Sequence, residues 1–199
     1  MTVPDTVHDR GIWTVPNAIS FGRLLCIPLF LWLLLSQDRN IEAAFLLALL
    51  GATDWVDGYI ARHFDQGSEF GKVLDPVADR VLLIAGAFAL LLSGSVPIWV
   101  GVLILGREAL ISIATVSLAA IGVRRIEVQW AGKAGALGLM FALPGFLLID
   151  SMDASLLRAL LTFVTWCFTI GGLALSYYAA FKYVPVARQA LNERKGESA

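Results

Sequence analysis

Residues 54–79 read DWVDGYIARHFDQGSEFGKVLDPVAD, and apolar stretches long enough to cross a bilayer lie before and after this segment. The segment carries two pairs of aspartates, Asp54 with Asp57 and Asp75 with Asp79. A carboxylate near hydrocarbon is costly unless it is paired, hydrated or bound to metal, so acids in this setting indicate a functional site. The pattern predicts two membrane helices whose neighbouring ends carry a polar site.

The composition of the chain is typical of a membrane protein. Of its 199 residues, 58% are hydrophobic and 16% are charged, and the mean hydropathy is +0.75. A soluble domain carries about 25% charged residues. The formal net charge is −1, which provides no broad basic field for a polyanion, so we expect no nucleic-acid partner.

Six segments approach the roughly 20 residues that a membrane-spanning helix needs. They predict an all-α integral membrane protein with six transmembrane helices, at 19–35, 41–60, 76–92, 97–121, 135–149 and 156–181. We expect Pro16, Pro76 and Pro97 to lie at helix starts. Pro28 and Pro144 fall inside predicted spans, where we expect each of them to kink its helix. Asp153 or Ser155 is expected to cap the last helix.

Three regions of the chain follow from this layout. We expect an interfacial segment at 1–17, a six-helix domain at 18–182 and a cytoplasmic tail at 183–199, of which residues 191–199 are expected to be solvated and frayed. Basic residues gather on one side of the bundle, whereas Arg39 and Arg158 lie on the other. Because cytoplasmic loops carry an excess of Lys and Arg, we expect a cell-membrane protein with both termini cytoplasmic. The aspartates then lie at the cytoplasmic ends of helices 2 and 3.

Each aspartate pair has helical spacing. Asp54 and Asp57 are three residues apart, and Asp75 and Asp79 are four apart, so each pair shares a helix face. Four converging carboxylates repel one another unless some of them protonate or a cation binds. Hard divalent cations prefer oxygen ligands, so we expect one or two Mg²⁺ ions, two being the expected number, with Mn²⁺ as the substitute. The alternative for any single aspartate is a helix cap or a solvated helix end.

The neighbours of the acids extend the pattern. Gly58 leaves bare backbone beside Asp57, where a bulky ligand can approach closely, and Arg62 offers a planar fork for phosphate. The full spacing is Asp54-x2-Asp57-Gly58-x2-Ala61-Arg62-x8-Gly71-x3-Asp75-x3-Asp79. This spacing resembles, without a gap, the signature of the CDP-alcohol phosphatidyltransferases.

The resemblance implies a six-helix membrane enzyme, a homodimer, that cleaves a CDP-linked substrate and releases CMP. It implies that all four aspartates bind metal and that Asp79 also acts as the catalytic base. It further implies that the nucleotide-lipid is contacted by Asp54, Asp57, Gly58, Arg62, Ser68 and Gly71.

Other positions resemble a narrower branch, the bacterial phosphatidylglycerophosphate and cardiolipin synthases. They are residues 15–23 (VPNAISFGR), residues 74–80 (LDPVADR), the Gly106-Arg107-Glu108 run and the Gly132-Lys133 pair. In that branch the donor is CDP-diacylglycerol. Arg107 and Lys133 are then candidates for binding an acceptor phosphate. Alternatively, Arg107 is a structural partner of Glu108 or of a site aspartate.

One departure bears on the acceptor. Thr115 lies eight residues after Arg107, where glycerol-phosphate acceptor enzymes commonly carry a second arginine. The missing cation favours an acceptor with less phosphate charge, such as phosphatidylglycerol, and residues 133–144 also resemble actinobacterial cardiolipin synthases. Glycerol 3-phosphate is the alternative acceptor. The expected pathway is phospholipid biosynthesis, with membrane lipids around the enzyme.

Two alternatives come from other classes of protein. Buried carboxylates also line cation transporters and proton channels. Those sites usually lie near the bilayer midplane and often use broken helices, whereas the acids here are expected at one face. The second alternative is a structural lipid-binding protein that has no turnover.

Overall fold

The computed structural model describes the backbone of residues 14–63, 71–120 and 130–197, and side chains within 14–53, 71–113 and 130–182. This part of the chain forms helices and contains no strand, which confirms the all-α prediction. The six helices are α1 (Val15–Leu35), α2 (Asn40–His63), α3 (Gly71–Ser93), α4 (Ile98–Ala120), α5 (Trp130–Asp150) and α6 (Leu156–Glu197).

Local sequence explains where three of the helices begin. Thr14 caps α1, because its Oγ1 accepts a hydrogen bond from the backbone N–H of Asn17 at 3.4 Å, and a proline occupies the first turn. Ser155, one of the two predicted caps, accepts from the backbone N–H of Arg158 at 3.1 Å at the start of α6. Pro97 directly precedes α4. These contacts satisfy N–H groups that the first turn of a helix leaves without a partner.

Two boundaries differ from the sequence-based expectation. Helix α3 begins at Gly71, so Pro76 lies inside it and not at its start. Pro76 lies five residues after Gly71, so it lacks a backbone N–H that would otherwise bond the carbonyl oxygen of residue 72, and a proline in this position destabilises or kinks a helix. Helix α6 continues to Glu197, so residues 191–197 are helical where a frayed end was expected. That segment contains Leu, Glu, Arg and Lys, which are strong helix formers.

Three described helices are long and apolar enough to cross a membrane: Asn17–Leu35, Trp130–Asp150 and Leu156–Lys182. Large apolar side chains such as Leu25 on α1 and Phe45 on α2 are exposed. An apolar surface on an all-helical bundle indicates a protein whose outer face meets lipid, where only helices and closed barrels satisfy the backbone. The number of spans and their orientation stay predictions.

The packing of the helices places α1 beside α3. Helix α1 packs against both α2 and α3, and α5 packs against α2 and α6. In the most extensive interface, between α5 and α6, a Cβ added to Gly135 would lie 2.8 Å from the carbonyl oxygen of Gly172. Glycines let two membrane helices approach this closely. The buried core between the other helices includes Phe30, Leu47 and Leu90.

Candidate functional site

The four aspartates occupy two helices that are joined by a short connection. Asp54 and Asp57 lie in the second half of α2, and Asp75 and Asp79 lie in the first half of α3. The two helices contact each other, and the seven residues 64–70 connect them. The end of α2 and the start of α3 are therefore neighbours.

Several predicted site residues are described only in part. The structure describes the backbone of Gly58, and the backbone but not the side chain of Asp54, Asp57, Arg62 and Asp75, whereas Ser68 lies outside the described residues. The convergence of four carboxylates therefore stays a prediction. Gly71 is described and is buried at the first position of α3.

Asp79 is the one of the four aspartates whose side chain is described. Its Oδ1 accepts a hydrogen bond from Nη1 of Arg23 on α1, and the two groups form an ion pair. The Arg23 side chain has 0% exposure, whereas the Asp79 side chain has 29%. The pair therefore joins α1 to α3 at the last aspartate of the signature.

The sequence interpretation assigned no role to Arg23. A signal for it was nevertheless present, because a basic residue inside an apolar span needs a partner. What the sequence did not indicate was which acid that partner is, since Arg23 and Asp79 are 56 residues apart.

Arg23 lies on the buried side of α1. Ser20 and Arg23 are buried, and the buried apolar side chains of Ile27 and Phe30 follow them at helical spacing. Residues three or four apart are neighbours on a helix surface, so we name these four residues the buried face of α1. In contrast, the apolar side chains of Phe21 and Leu25 are exposed. The buried face of α1 therefore packs against the protein, and an apolar side faces outward.

Arg107 and Lys133 come close together in the structure. Arg107 on α4 is 5% exposed and Glu108 is 2% exposed. Arg107 pairs with Glu108 through Nη1 and donates from Nη2 to the carbonyl oxygen of Gly132 at 3.2 Å. The pairing with Glu108 that the sequence allowed is thus present. Lys133 follows Gly132 and is exposed. Acceptor binding by Arg107 or Lys133 stays a prediction.

A second group of polar side chains lies around a carboxylate at the opposite end of the bundle. Asp150, at the end of α5, accepts hydrogen bonds from Nδ2 of Asn40 at 3.3 Å and from Oγ of Ser95 at 3.2 Å. A cavity of about 280 Å³ lies beside it and is lined in part by Asp38, Asn40 and Ser95. The Asp150 side chain is exposed, and those of Asn40 and Ser95 are half-buried. We call this group of side chains the Asp150 cluster.

The residues of the aspartate signature fit a divalent cation. Four carboxylates on two neighbouring helix ends are hard oxygen donors, the kind that Mg²⁺ and Mn²⁺ prefer. Asp79 remains 29% exposed while it is paired with Arg23. The chemistry of the donor set is therefore compatible with the predicted metal site.

Known proteins resemble this chain over most of its length. The family described as CDP-alcohol phosphatidyltransferase matches residues 13–171. The cardiolipin synthase (CMP-forming) of Streptomyces coelicolor is 33% identical over 188 residues, which cover 92% of this chain and 86% of that protein. A putative cardiolipin synthase of Mycobacterium tuberculosis is 34% identical over 177 residues, 88% of this chain and 83% of that protein.

A relative with another name is also similar over nearly its whole length. The CDP-diacylglycerol–glycerol-3-phosphate 3-phosphatidyltransferase of Haemophilus influenzae is 29% identical over 185 residues, 90% of this chain and 96% of that protein. The aspartate signature on α2 and α3 lies inside the matched region. The chain therefore belongs to the CDP-alcohol phosphatidyltransferase family and is a membrane transferase enzyme.

Proposed function

We propose that this enzyme transfers the phosphatidyl group from CDP-diacylglycerol to phosphatidylglycerol, producing cardiolipin and CMP. The observation that carries the proposal is the gap-free aspartate signature on the neighbouring ends of α2 and α3. Similarity to the cardiolipin synthase of Streptomyces coelicolor over 92% of the chain supports it. Thr115 supports phosphatidylglycerol over glycerol 3-phosphate, because the chain lacks a second fixed cation at that position.

In this proposal the signature residues hold the donor. Asp54, Asp57 and Asp75, together with Asp79, bind Mg²⁺ or Mn²⁺. When bound at these residues, two ions would supply positive charge that neutralises the diphosphate and the departing CMP. Four further residues contact the nucleotide-lipid through phosphate pairing, close backbone approach and hydrogen bonding: Gly58, Arg62, Ser68 and Gly71.

Asp79 acts as the base. The acceptor hydroxyl attacks the phosphorus that carries the diacylglycerol, and its proton passes to the Asp79 carboxylate. A new bond forms between the acceptor oxygen and this phosphorus, and the bond from phosphorus to the oxygen of CMP breaks. Partial exposure suits this role, because the carboxylate is held by the protein and stays accessible. Arg107 and Lys133 are the proposed contacts for the acceptor phosphate.

The proposed location follows from the substrates. At the cytoplasmic boundary of the cell membrane, the nucleotide stays in water while the acyl chains stay in lipid. The excess of basic residues on that side supports cytoplasmic termini. A homodimer is part of the proposal and rests on the resemblance to the family.

An acceptor screen tests this proposal. Purified protein in lipid vesicles receives CDP-diacylglycerol, Mg²⁺ and one acceptor: phosphatidylglycerol, glycerol 3-phosphate or inositol phosphate. We expect CMP release with phosphatidylglycerol, and cardiolipin as the lipid product. CMP release with glycerol 3-phosphate alone would support the second candidate, which the similarity to the Haemophilus influenzae enzyme over 96% of its length favours. No CMP with any acceptor would contradict phosphatidyl transfer.

A further inference from the structure

The ion pair of Arg23 with Asp79 concerns a residue that the aspartate signature does not contain. A guanidinium inside the bundle is costly unless a partner compensates its charge, and the described partner is the Asp79 carboxylate. Because the Arg23 side chain has 0% exposure, it offers no surface to a substrate. Any effect of Arg23 on the reaction must therefore pass through a group that it contacts.

Asp79 is held on one side and accessible on the other. Its Oδ1 is bound by the guanidinium, and 29% of its side chain stays exposed. An ion pair through one oxygen limits rotation of the whole carboxylate, since both oxygens belong to one planar group. A base works only when its oxygen lies within hydrogen-bond reach of the proton that it accepts. The orientation of Asp79 is thus a condition of its function.

The packing of α1 fixes the backbone that carries Arg23. Ser20, Ile27 and Phe30 lie with Arg23 on the buried face of α1. Helix α1 packs along α3, so a side chain anchored in this face has a defined position relative to α3. Groups on rigid, packed elements maintain the narrow geometry that catalysis needs.

We propose that Arg23 is a positioning residue for phosphatidyl transfer. Its buried guanidinium holds the Asp79 carboxylate in the orientation that accepts the proton of the attacking alcohol. Helix α1 thereby contributes a residue to a site whose sequence signature lies on α2 and α3 alone. This inference rests on the proposed function, because it assumes that Asp79 is the base.

Two variants test the role of Arg23. Arg23→Gln removes the charge, and Arg23→Lys keeps the charge but replaces the planar fork with a single ammonium on a shorter reach. Loss of an outer partner of a catalytic group typically costs about 10- to 100-fold in activity, and we expect that loss of kcat in Arg23→Gln. We expect a smaller loss, about 3- to 10-fold, in Arg23→Lys, with KM and Kd for CDP-diacylglycerol within about threefold of the parent protein in both variants.

The measurements are CMP release, CDP-diacylglycerol binding and thermal unfolding in detergent, with activity expressed per folded protein. Tyr177→Phe is the matched control, because it removes another interhelical hydrogen bond, from the Tyr177 hydroxyl to the carbonyl oxygen of Leu103 at 2.9 Å. This control should keep the parent kcat.

Three results would overturn the proposal. The first is parent kcat in either folded Arg23 variant. The second is a raised KM at unchanged kcat, which would make Arg23 a binding residue. The third is a loss of kcat in Tyr177→Phe equal to that in the Arg23 variants. Where Arg23→Gln does not fold, Arg23→Lys is judged by the same criteria. The parent protein runs in the same assay, so its own failure to release CMP would contradict the proposed function and not the role of Arg23.

Discussion

The two ends of the bundle each hold a carboxylate that joins helices, and the two carboxylates differ in their partners. Asp79 pairs with a fully buried cation on α1. Asp150 accepts hydrogen bonds from two neutral donors, Asn40 and Ser95, at an exposed position. Water competes for the exposed contacts, whereas a buried charge pair has no substitute if one partner is lost. Losing the partner of an aspartate should therefore destabilise the protein more at the Asp79 end than at the Asp150 end.

The aspartate signature is a candidate active site, whereas the Asp150 cluster is a surface feature. Acidic side chains occur at both ends, so acid content alone does not locate function. The aspartate signature, with helical spacing on both α2 and α3, lies at the Asp79 end. The Asp150 cluster connects the start of α2, the α3–α4 connection and the end of α5. We interpret this cluster as a connection between helix ends, without a role in transfer.

Removing the divalent cation should have the largest effect. We expect EDTA to abolish CMP release and Mg²⁺ or Mn²⁺ to restore it, because the diphosphate charge would otherwise be uncompensated. The measurement is CMP release before chelation, after chelation and after metal addition. Asp150→Asn should respond in the same way as the parent protein. CMP release that is unchanged by EDTA would contradict the metal hypothesis. A different response to EDTA in Asp150→Asn would indicate that the metal binds near Asp150 and not at the aspartate signature.

The second prediction compares Asp79→Asn with Asp150→Asn. A general base contributes about 10²- to 10⁴-fold to a rate, so we expect kcat to fall by that factor in Asp79→Asn. CDP-diacylglycerol binding should persist in part, because three acids of the signature remain. Asp150→Asn should stay within about twofold of the parent kcat, since the cluster touches no reacting atom. Near-normal turnover in Asp79→Asn would remove Asp79 from the base role.

The smallest effect should be on stability at the exposed end. Asn40→Ala removes one hydrogen bond to Asp150, and we expect a loss of about 0.5–1 kcal/mol in the free energy of unfolding. Asp79→Asn should cost more, about 3 kcal/mol, because it leaves the Arg23 charge without its anionic partner inside the bundle. Denaturation in detergent, followed by circular dichroism, measures both changes. Equal losses in the two variants would show that burial does not distinguish the two ends.

Sequence reasoning succeeded where the physical cause is local. Helical spacing within each aspartate pair, an apolar run of membrane length and a hydroxyl one residue before a helix are properties of neighbouring residues. For this reason the all-α class, the Ser155 cap and the helices that carry the aspartates agree with the structure. The start of α3 at Gly71 was missed, because proline favours the first turn of a helix, whereas Pro76 lies five residues after the start of α3.

The chain by itself determined that two acidic helix ends follow each other within 26 residues, and this spacing identified the family before any fold was available. Only the tertiary structure decided which side chain meets Asp79. Arg23 is 56 residues distant in the chain, and nothing in its local surroundings distinguishes one distant carboxylate from another. The choice depends on the packing of α1 along α3, because an ion pair requires two groups to be neighbours in space.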